Sequence, residues 1–328
     1  MSEFYSKTDL VVDTLVAKPG YQLEGYLHAG IMQDGTAVRL PLVLINGLQT
    51  GATLYIQSVS DGDELNGIAV IHEILRMVNP EHLNGRIIAV PIVNFHAFHA
   101  RQAFSPVDNI KMNRCFPGNP TGTSSERIAH RLFNTAISQA DYCIDLHQGG
   151  IHPMIDEVRV RVDRTHPQHN ACVELARVFG IGHILDKKGP QGQLAQAAPD
   201  VGIPTIDPEL GGCLGWDTSS IAKGVRGVQN VLNYYNFIDD DPEVTNTEQQ
   251  IVVNRLITLL SNEGGFLYYK VDLYDHVRVH QPIVEICDVF GRPREVVRAP
   301  DNGIFWSRSA HPMVATGESV GKIGIPIH

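Results

Sequence analysis

The segment Ser58-Val59-Ser60-Asp61-Gly62-Asp63-Glu64-Leu65-Asn66-Gly67 constrains this chain more than any other. An apolar run, Leu42-Val43-Leu44-Ile45, leads up to it through a Gly-containing loop, and a helical pattern leaves it. Between Glu64 and Val78, residues Ile68, Ile71, Leu75 and Val78 fall on one helical face. Asp61 and Glu64 therefore stand where a strand and its loop become a helix, three residues apart and facing the same way. Two carboxylates fixed on one side of a rigid turn repel unless a positive charge lies between them, and a divalent metal meets that need. The plainer reading is a helix N-terminus, with Asp61 as its cap and Glu64 in its first turn.

The 328 residues suffice for two domains, or for one large domain with an appendage. Apolar residues make up 43% and charged residues 19%, the balance of a globular chain with a full core. A formal net charge of −10 argues against nucleic acid or an anionic membrane as a partner. It leaves room for a locally basic pocket that takes an anionic small molecule. No apolar run approaches the ~18 residues of a membrane span. The first residues, MSEFYSKTDLVV, lack the basic-then-apolar order of a signal peptide. The five scattered cysteines (Cys115, Cys143, Cys172, Cys213, Cys287) form no CxxC pair, which suits reduced thiols in the cytoplasm. Oligomeric state is left open, a homo-oligomer included.

Residues 1–40 alternate strand-like runs with Pro19-Gly20 and Asp34-Gly35 turns, as in β hairpins packed on the edge of a main domain. Strand character returns at Leu54–Ser60 and again at Ile87–Val93, on either side of the Glu64–Val78 helix, a βαβ signature. Residues 94–123 read as a long polar loop, a length that usually carries function. Thr123-Ser124-Ser125-Glu126 is a capping box opening a helix towards Ala140. Tyr142–His147 is a buried strand ending in Asp-Leu-His. A helix follows at His169–Phe179, closed by Gly180, then a strand at Ile203–Ile206 running into Asp207-Pro208-Glu209-Leu210-Gly211-Gly212, and a last helix at Ser219–Phe237. The Pro-punctuated acidic stretch Asp239–Glu243 marks a domain boundary: an α/β unit over 1–240, and over 245–328 an all-β unit of short strands with the turn pattern of a lipoyl-like barrel.

In open α/β sheets ligands bind at the C-terminal ends of strands. Asp61 and Glu64 follow one strand, His147 ends another and Glu209 follows a third, while Arg101, Asn113 and Arg114 lie in the long loop. Read in order, the chain carries D-G-D-E-L-N-G, N-x6-R, N-R-C-F-P-G, D-L-H and E-L-G-G. This order resembles the succinylglutamate desuccinylase/aspartoacylase family, itself similar to the zinc carboxypeptidases, over roughly residues 40 to 240. The resemblance implies a carboxypeptidase-like mixed, largely parallel sheet flanked by helices, with a smaller all-β C-terminal domain. It implies one zinc ion held at Asp61, Glu64 and His147, a substrate carboxylate bound by Arg101, Asn113 and Arg114, and catalysis by Glu209. The implied reaction is removal of the N-acyl group from a small amino acid or derivative.

One position departs from the family's H-G-D-E: here the first residue is Asp61. Zinc held by two histidines and a glutamate keeps a net positive charge. Held by Asp, Glu and His it is formally neutral, a weaker Lewis acid whose water ionises above the ~7 of strong zinc sites. Harder ligands also widen the choice towards Mn, Fe or Co. Alongside deacylation, two other readings remain: a metallocarboxypeptidase acting on short peptides, and a non-catalytic small-ligand-binding relative. Asp145 shares a strand with His147 and reads as its structural partner. Cys115 has no Cys-His-Asp arrangement that would make it a nucleophile.

Overall fold

A computed structural model describes residues 8–212, 215–239 and 249–327. The proposed boundary at Asp239–Glu243 lies outside the described residues apart from Asp239, as does Cys213.

The amino-terminal strands are β1 (Leu10–Val12), β2 (Leu15–Ala17), β3 (Tyr21–Ile31) and β4 (Ala37–Asn46). As expected they form hairpins: β1 pairs with β2, and β3 with β4 across the Asp34-Gly35 turn. The next elements are β5 (Gln49–Ser58), α1 (Asn66–Met77), β6 (Asn84–Val90), α2 (Phe95–Ala100), α3 (Ser124–Thr135) and β7 (Tyr142–Leu146). After them come β8 (Glu157–Val160), α4 (His169–Phe179), β9 (His183–Asp186), α5 (Leu194–Asp200), β10 (Thr205–Glu209) and α6 (Thr218–Tyr234). The carboxy-terminal strands are β11 (Ile251–Leu260), β12 (Gly265–Tyr269), β13 (His276–Val277), β14 (Pro282–Cys287), β15 (Pro293–Arg298), β16 (Gly303–Arg308), β17 (Met313–Val314) and β18 (Ser319–Pro326).

One twelve-stranded sheet runs β13-β16-β18-β11-β9-β8-β10-β7-β5-β6-β4-β3. It is mixed, as expected, but parallel pairings do not predominate. The parallel pairings sit in the middle, where β5 pairs with β6 and β7, β10 with β7, β8 with β9, and β11 with β9. Both ends run antiparallel, with β3–β4 and β4–β6 at one and β11–β18, β16–β18 and β13–β16 at the other, as does β8 beside β10. Helical crossovers such as α1 between β5 and β6 give parallel neighbours, the β3–β4 hairpin gives an antiparallel one, and the remaining antiparallel pairs join strands that do not follow one another in the chain.

Strand alternation divides the core between two faces. Ile45, Leu54, Ile56, Ile87 and Ile144 face one way and meet Ile71 and Ile74 of α1, Phe179 of α4 and Val231 of α6. Leu44, Tyr55, Ile88 and Cys143 face the other way and meet Ile128 and Leu132 of α3, Leu194 and Ala198 of α5, and Leu10 of the first hairpin. The predicted capping box is present: Thr123 N–H donates to Glu126 Oε2 at 2.7 Å, and Glu126 N–H to Thr123 Oγ1 at 3.4 Å. The predicted stop at Gly180 is also present, in a left-handed conformation at φ 85° that glycine adopts without strain.

The carboxy-terminal β region has its own core of Leu259, Leu267, Ile283, Ile286, Phe305 and Ile323. It carries a four-stranded antiparallel sheet, β15-β14-β12-β17. Its strand β11 continues the large sheet beside β9. Trp306 is buried against the Ile155–Glu157 segment, donating from Nε1 to Glu157 Oε2 at 2.9 Å.

Candidate active site

The central strands β5, β7 and β10 are adjacent and parallel, so their C-terminal ends open on one side. Asp61 and Glu64 follow β5, His147 follows β7, and Glu209 is the last residue of β10. His147 and Glu209 are stitched together by backbone: His147 N–H donates to Pro208 O at 2.8 Å, and Leu210 N–H to His147 O at 2.9 Å. Pro208 has no N–H of its own, yet its carbonyl completes the ladder. The strand expected to stop at Ile206 thus runs on to Glu209, and the alternation puts Asp207 and Glu209 on the same side.

The turn after β5 is tightly built. Val59 takes φ 60°, a rare conformation for a β-branched residue. It is held by Asn94, whose N–H donates to Val59 O at 3.1 Å and whose Nδ2 donates to Ser60 O at 2.9 Å. Gly62 presses on α2: a Cβ there would lie 2.0 Å from the carbonyl carbon of Ala97. Gly62→Ala should therefore cost about 1–3 kcal/mol, the range for overpacking. A melting curve within 1 °C of the parent would show that the turn yields freely.

Neither Asp61 nor Glu64 caps α1. The helix begins at Asn66, and its free amides are met from β7's loop, where Gln148 Oε1 accepts from Leu65 N–H at 2.9 Å and Asn66 N–H at 2.7 Å. The two acids are left to the cavity.

That cavity holds about 460 Å³ and is walled by Asp61, Glu64, Lys111, Asn113, Arg114, His147, Asp207 and Glu209 from the α/β part, and by Trp306, Arg308 and Lys322 from the carboxy-terminal strands. Glu64 Oε2 lies 2.8 Å from His147 Nδ1 and accepts from Gln148 N–H at 3.2 Å. His147 Nε2 lies 3.1 Å from Asp145 Oδ2, the partnership expected of Asp145. Asp61, 3% exposed, accepts from Lys111 Nζ at 2.8 Å. Asn113 is buried, and Arg114 Nη1 donates to its backbone oxygen at 2.7 Å and to its Oδ1 at 2.8 Å.

Arg101 is not brought to this wall. It ends α2 in a left-handed C-cap at φ 54° and is exposed. The long loop expected at 94–123 instead folds its first residues into α2, and that puts Arg101 at the helix terminus.

Two arginines that sequence reasoning passed over hold the other side. Strand β8 runs antiparallel to β10, with Arg159 opposite Asp207 and Glu157 opposite Glu209. Arg159 pairs with Glu209 and, from Nε, with Glu157 Oε1 at 2.6 Å, while Arg161 Nε donates to Asp207 Oδ2 at 3.0 Å. The alternation over Val158–Val162 marks a strand without telling which way its arginines face. The available signal was the matching Asp-Pro-Glu alternation on β10.

Burial and crowding set the proton affinities. Burial pushes Glu64 up to about 8, against the pull of His147. Burial also raises Glu209, with Arg159 opposing it. For His147, burial disfavours the charged ring, but Asp145, Asp207 and Glu64 outweigh it and hold its pKa well above the ordinary value. Burial would raise Asp207, yet His147, Arg161 and Arg159 keep it low.

The site fits a divalent cation. Asp61 Oδ1 and Asp207 Oδ1 are buried without a hydrogen-bond partner. The ligand atoms of His147, Asp207 and Glu209 lie within 4.8 Å of one another. Carboxylates and an imidazole form a donor set suited to zinc or another first-row ion.

Comparison with known proteins places the chain in a family. The succinylglutamate desuccinylase/aspartoacylase catalytic domain matches residues 50–235. The chain is 27% identical over 310 residues to the N-alpha-acetyl-L-2,4-diaminobutyric acid deacetylase of Halomonas elongata, covering 91% of this chain and 90% of that one. A crystal structure of a succinylglutamate desuccinylase/aspartoacylase from Rhodobacter sphaeroides superposes with a TM-score of 0.83 at 25% identity, covering 94% of this chain and 96% of that one. The product-bound ectoine utilization protein EutE (DoeB) of Ruegeria pomeroyi shares the fold with a TM-score of 0.86 at 24% identity, over 98% of this chain and 100% of that one. The chain thus belongs to the succinylglutamate desuccinylase/aspartoacylase family and is a hydrolase of N-acyl amino acid amides.

Proposed function

We propose that this protein is a metal-dependent, carboxypeptidase-like amidohydrolase that removes the N-acyl group from a small amino acid or derivative bearing a free carboxylate. The observation that carries the reading is the convergence of Glu64, His147 and Glu209 on one cavity that Asn113 and Arg114 also wall. A divalent ion, zinc in the simplest case, would be held by Glu64 and His147 with a third carboxylate of the cavity, and when bound supplies Lewis acidity and an acidified water.

The chain's own groups do the rest. Arg114, oriented by Asn113, takes the substrate carboxylate in a charge-assisted pair that fixes the scissile amide in the cavity. Glu209 receives a proton from the attacking water on its carboxylate and returns it to the amide nitrogen as the C–N bond breaks. Its raised pKa suits both halves of that transfer. Arg159 keeps the carboxylate aimed by pairing with it from β8. Trp306, Arg308 and Lys322 close the far wall, which assigns the 245–328 unit a part in substrate recognition. Arg101, away from the wall, takes no step.

Metal-loaded protein offered N-acetyl and N-succinyl amino acids, N-alpha-acetyl-2,4-diaminobutyrate and dipeptides decides the substrate class. Deacylation without dipeptide cleavage is expected; cleavage of dipeptides alone would establish the carboxypeptidase alternative. Arg114→Ala should raise KM about 10- to 100-fold, the worth of one hydrogen bond to a charged group. Analogues lacking the carboxylate should feel little of that change.

A further inference from the structure

Glu157 is a second carboxylate on an arginine that already has one. Glu157 and Glu209 stand directly opposite each other on β8 and β10, and both are buried. Like charges in that register repel. Arg159 bridges them: its Nε donates to Glu157 Oε1 at 2.6 Å, and its Nη1 pairs with Glu209 Oε1. Charge balance at the arginine needs Glu209 alone. A further buried carboxylate is costly unless its oxygens are met, and those of Glu157 are met from the carboxy-terminal strands. Trp306 of β16, itself fully buried, donates from Nε1 to Glu157 Oε2 at 2.9 Å. The backbone fixes the indole in turn. Ile155 N–H donates to Trp306 O at 3.0 Å, Arg308 N–H donates to Pro153 O at 3.0 Å, and Met154 bridges to Ser307. Strand β16 is thus paired with the residues that lead into β8.

This line of contacts decides how Arg159 meets Glu209. An unrestrained guanidinium takes a carboxylate with two parallel N–H groups, one to each oxygen. With its Nε held by Glu157, Arg159 offers Nη1 to one oxygen of Glu209. No described residue donates to the other oxygen, Oε2. We propose that Glu157 and Trp306 are positioning residues: Trp306 holds Glu157, Glu157 holds the Arg159 guanidinium to a single-oxygen contact, and the second oxygen of Glu209 thereby stays open to the attacking water. This rests on the reading of Glu209 as the proton acceptor. It gives the carboxy-terminal strands a part in the chemical step, beyond walling the cavity.

A double-mutant cycle tests the assignment, run in metal-loaded protein on the N-acyl amino acid that the parent hydrolyses best. Glu157→Gln keeps the side chain's size and an oxygen for Trp306 but removes the charge that restrains Arg159. It should lower kcat about 10- to 100-fold, the effect of a misplaced reacting group, and leave KM within about threefold. Trp306→Phe keeps a ring in the core and removes the donor. It should lower kcat about 3- to 10-fold, the worth of one hydrogen bond, again with little change in KM. In the Glu209→Gln background no carboxylate remains to be aimed, so either substitution should change the residual kcat by less than about twofold. Equal losses with and without Glu209 would make Glu157 and Trp306 structural residues and overturn the proposal. Parental kcat in Glu157→Gln, or a Trp306→Phe effect confined to KM, would overturn it too. Should Glu157→Gln fail to fold, Trp306→Phe completes the same cycle. Parental turnover by Glu209→Gln alone would overturn the reading of Glu209 and this proposal together, whereas a large loss there with additive effects elsewhere would overturn the proposal and leave that reading standing.

Discussion

Glu209→Gln should lower kcat by about 10³-fold or more while metal content and fold stay as they are. The substitution keeps the side chain's size and its capacity to accept from Arg159, but removes the site at which a proton can rest. General acid–base catalysis is worth about 10²- to 10⁴-fold for a single proton transfer. Here one residue is assigned two transfers, so the upper half of that range is expected. Structure favours survival of the fold. Arg159 keeps Glu157 as a partner at 2.6 Å, and the backbone bonds that join Leu210 to His147 and His147 to Pro208 do not involve the side chain. The readouts are steady-state kinetics on an N-acyl amino acid, bound metal by elemental analysis and thermal melting. A folded, metal-containing variant with parental turnover would remove Glu209 from the chemistry and point to Glu64 or Asp207 as the acid. A small loss confined to KM would instead make Glu209 a binding group.

The strand-turn-helix around Asp61 and Glu64 was legible because three independent signals coincide there: an apolar strand, a polar turn with glycine and an amphipathic helix. His147 was legible because a buried apolar strand ends in it. The capping box at Thr123 and the Gly180 stop were legible because each rests on contacts between residues three to five apart. What could not be read is what depends on distant pairing. Asp61 looks the same in the sequence whether its partner is a metal or Lys111, fifty positions away, and only the packing of the 94–123 segment brings the two together. The same holds for Arg159 and Arg161, whose inward aim follows from β8 lying antiparallel to β10. The α2 helix was missed because Phe95-His96-Ala97-Phe98-His99-Ala100 is too short to show a helical period, and its start is set by Asn94 Oδ1 accepting from Ala97 N–H at 3.2 Å. The consequence for the site was Arg101, placed by spacing in the loop and carried by that helix to its exposed end. Parallel and antiparallel neighbours are likewise indistinguishable by strand pattern alone. The mixed sheet could therefore be told only from its connections, and β11 pairs in parallel with the distant β9.

Zinc affinity should climb steeply with pH from 6 to 8. In the metal-free protein burial holds the Glu64 proton to about 8, and Asp145, Asp207 and Glu64 hold that of His147 well above its ordinary value. A metal must displace whatever protons its ligands carry, so each one costs a factor of ten in affinity per pH unit below the ligand's pKa. The two groups share one hydrogen-bonded contact and titrate as a pair. A slope of between about one and two in log affinity per pH unit is therefore expected from pH 6 to 8, with release of one to two protons on binding. The same protons fix the sign for stability without metal. Both folded pKa values are raised above the unfolded ones, so both contributions are fully present at low pH and are lost as pH rises through the folded values. The metal-free protein should melt at progressively lower temperature from pH 5 to 8, while the zinc-loaded protein should not. The lowered pKa of Asp207 acts with the opposite sign, but only below its ordinary value of 3.8, outside this window. Calorimetry in buffers of different ionisation heat counts the released protons directly. An affinity flat from pH 6 to 8 with no proton release would mean that neither Glu64 nor His147 gives up a proton to the metal, and the ligands would have to be sought among the other groups of the cavity.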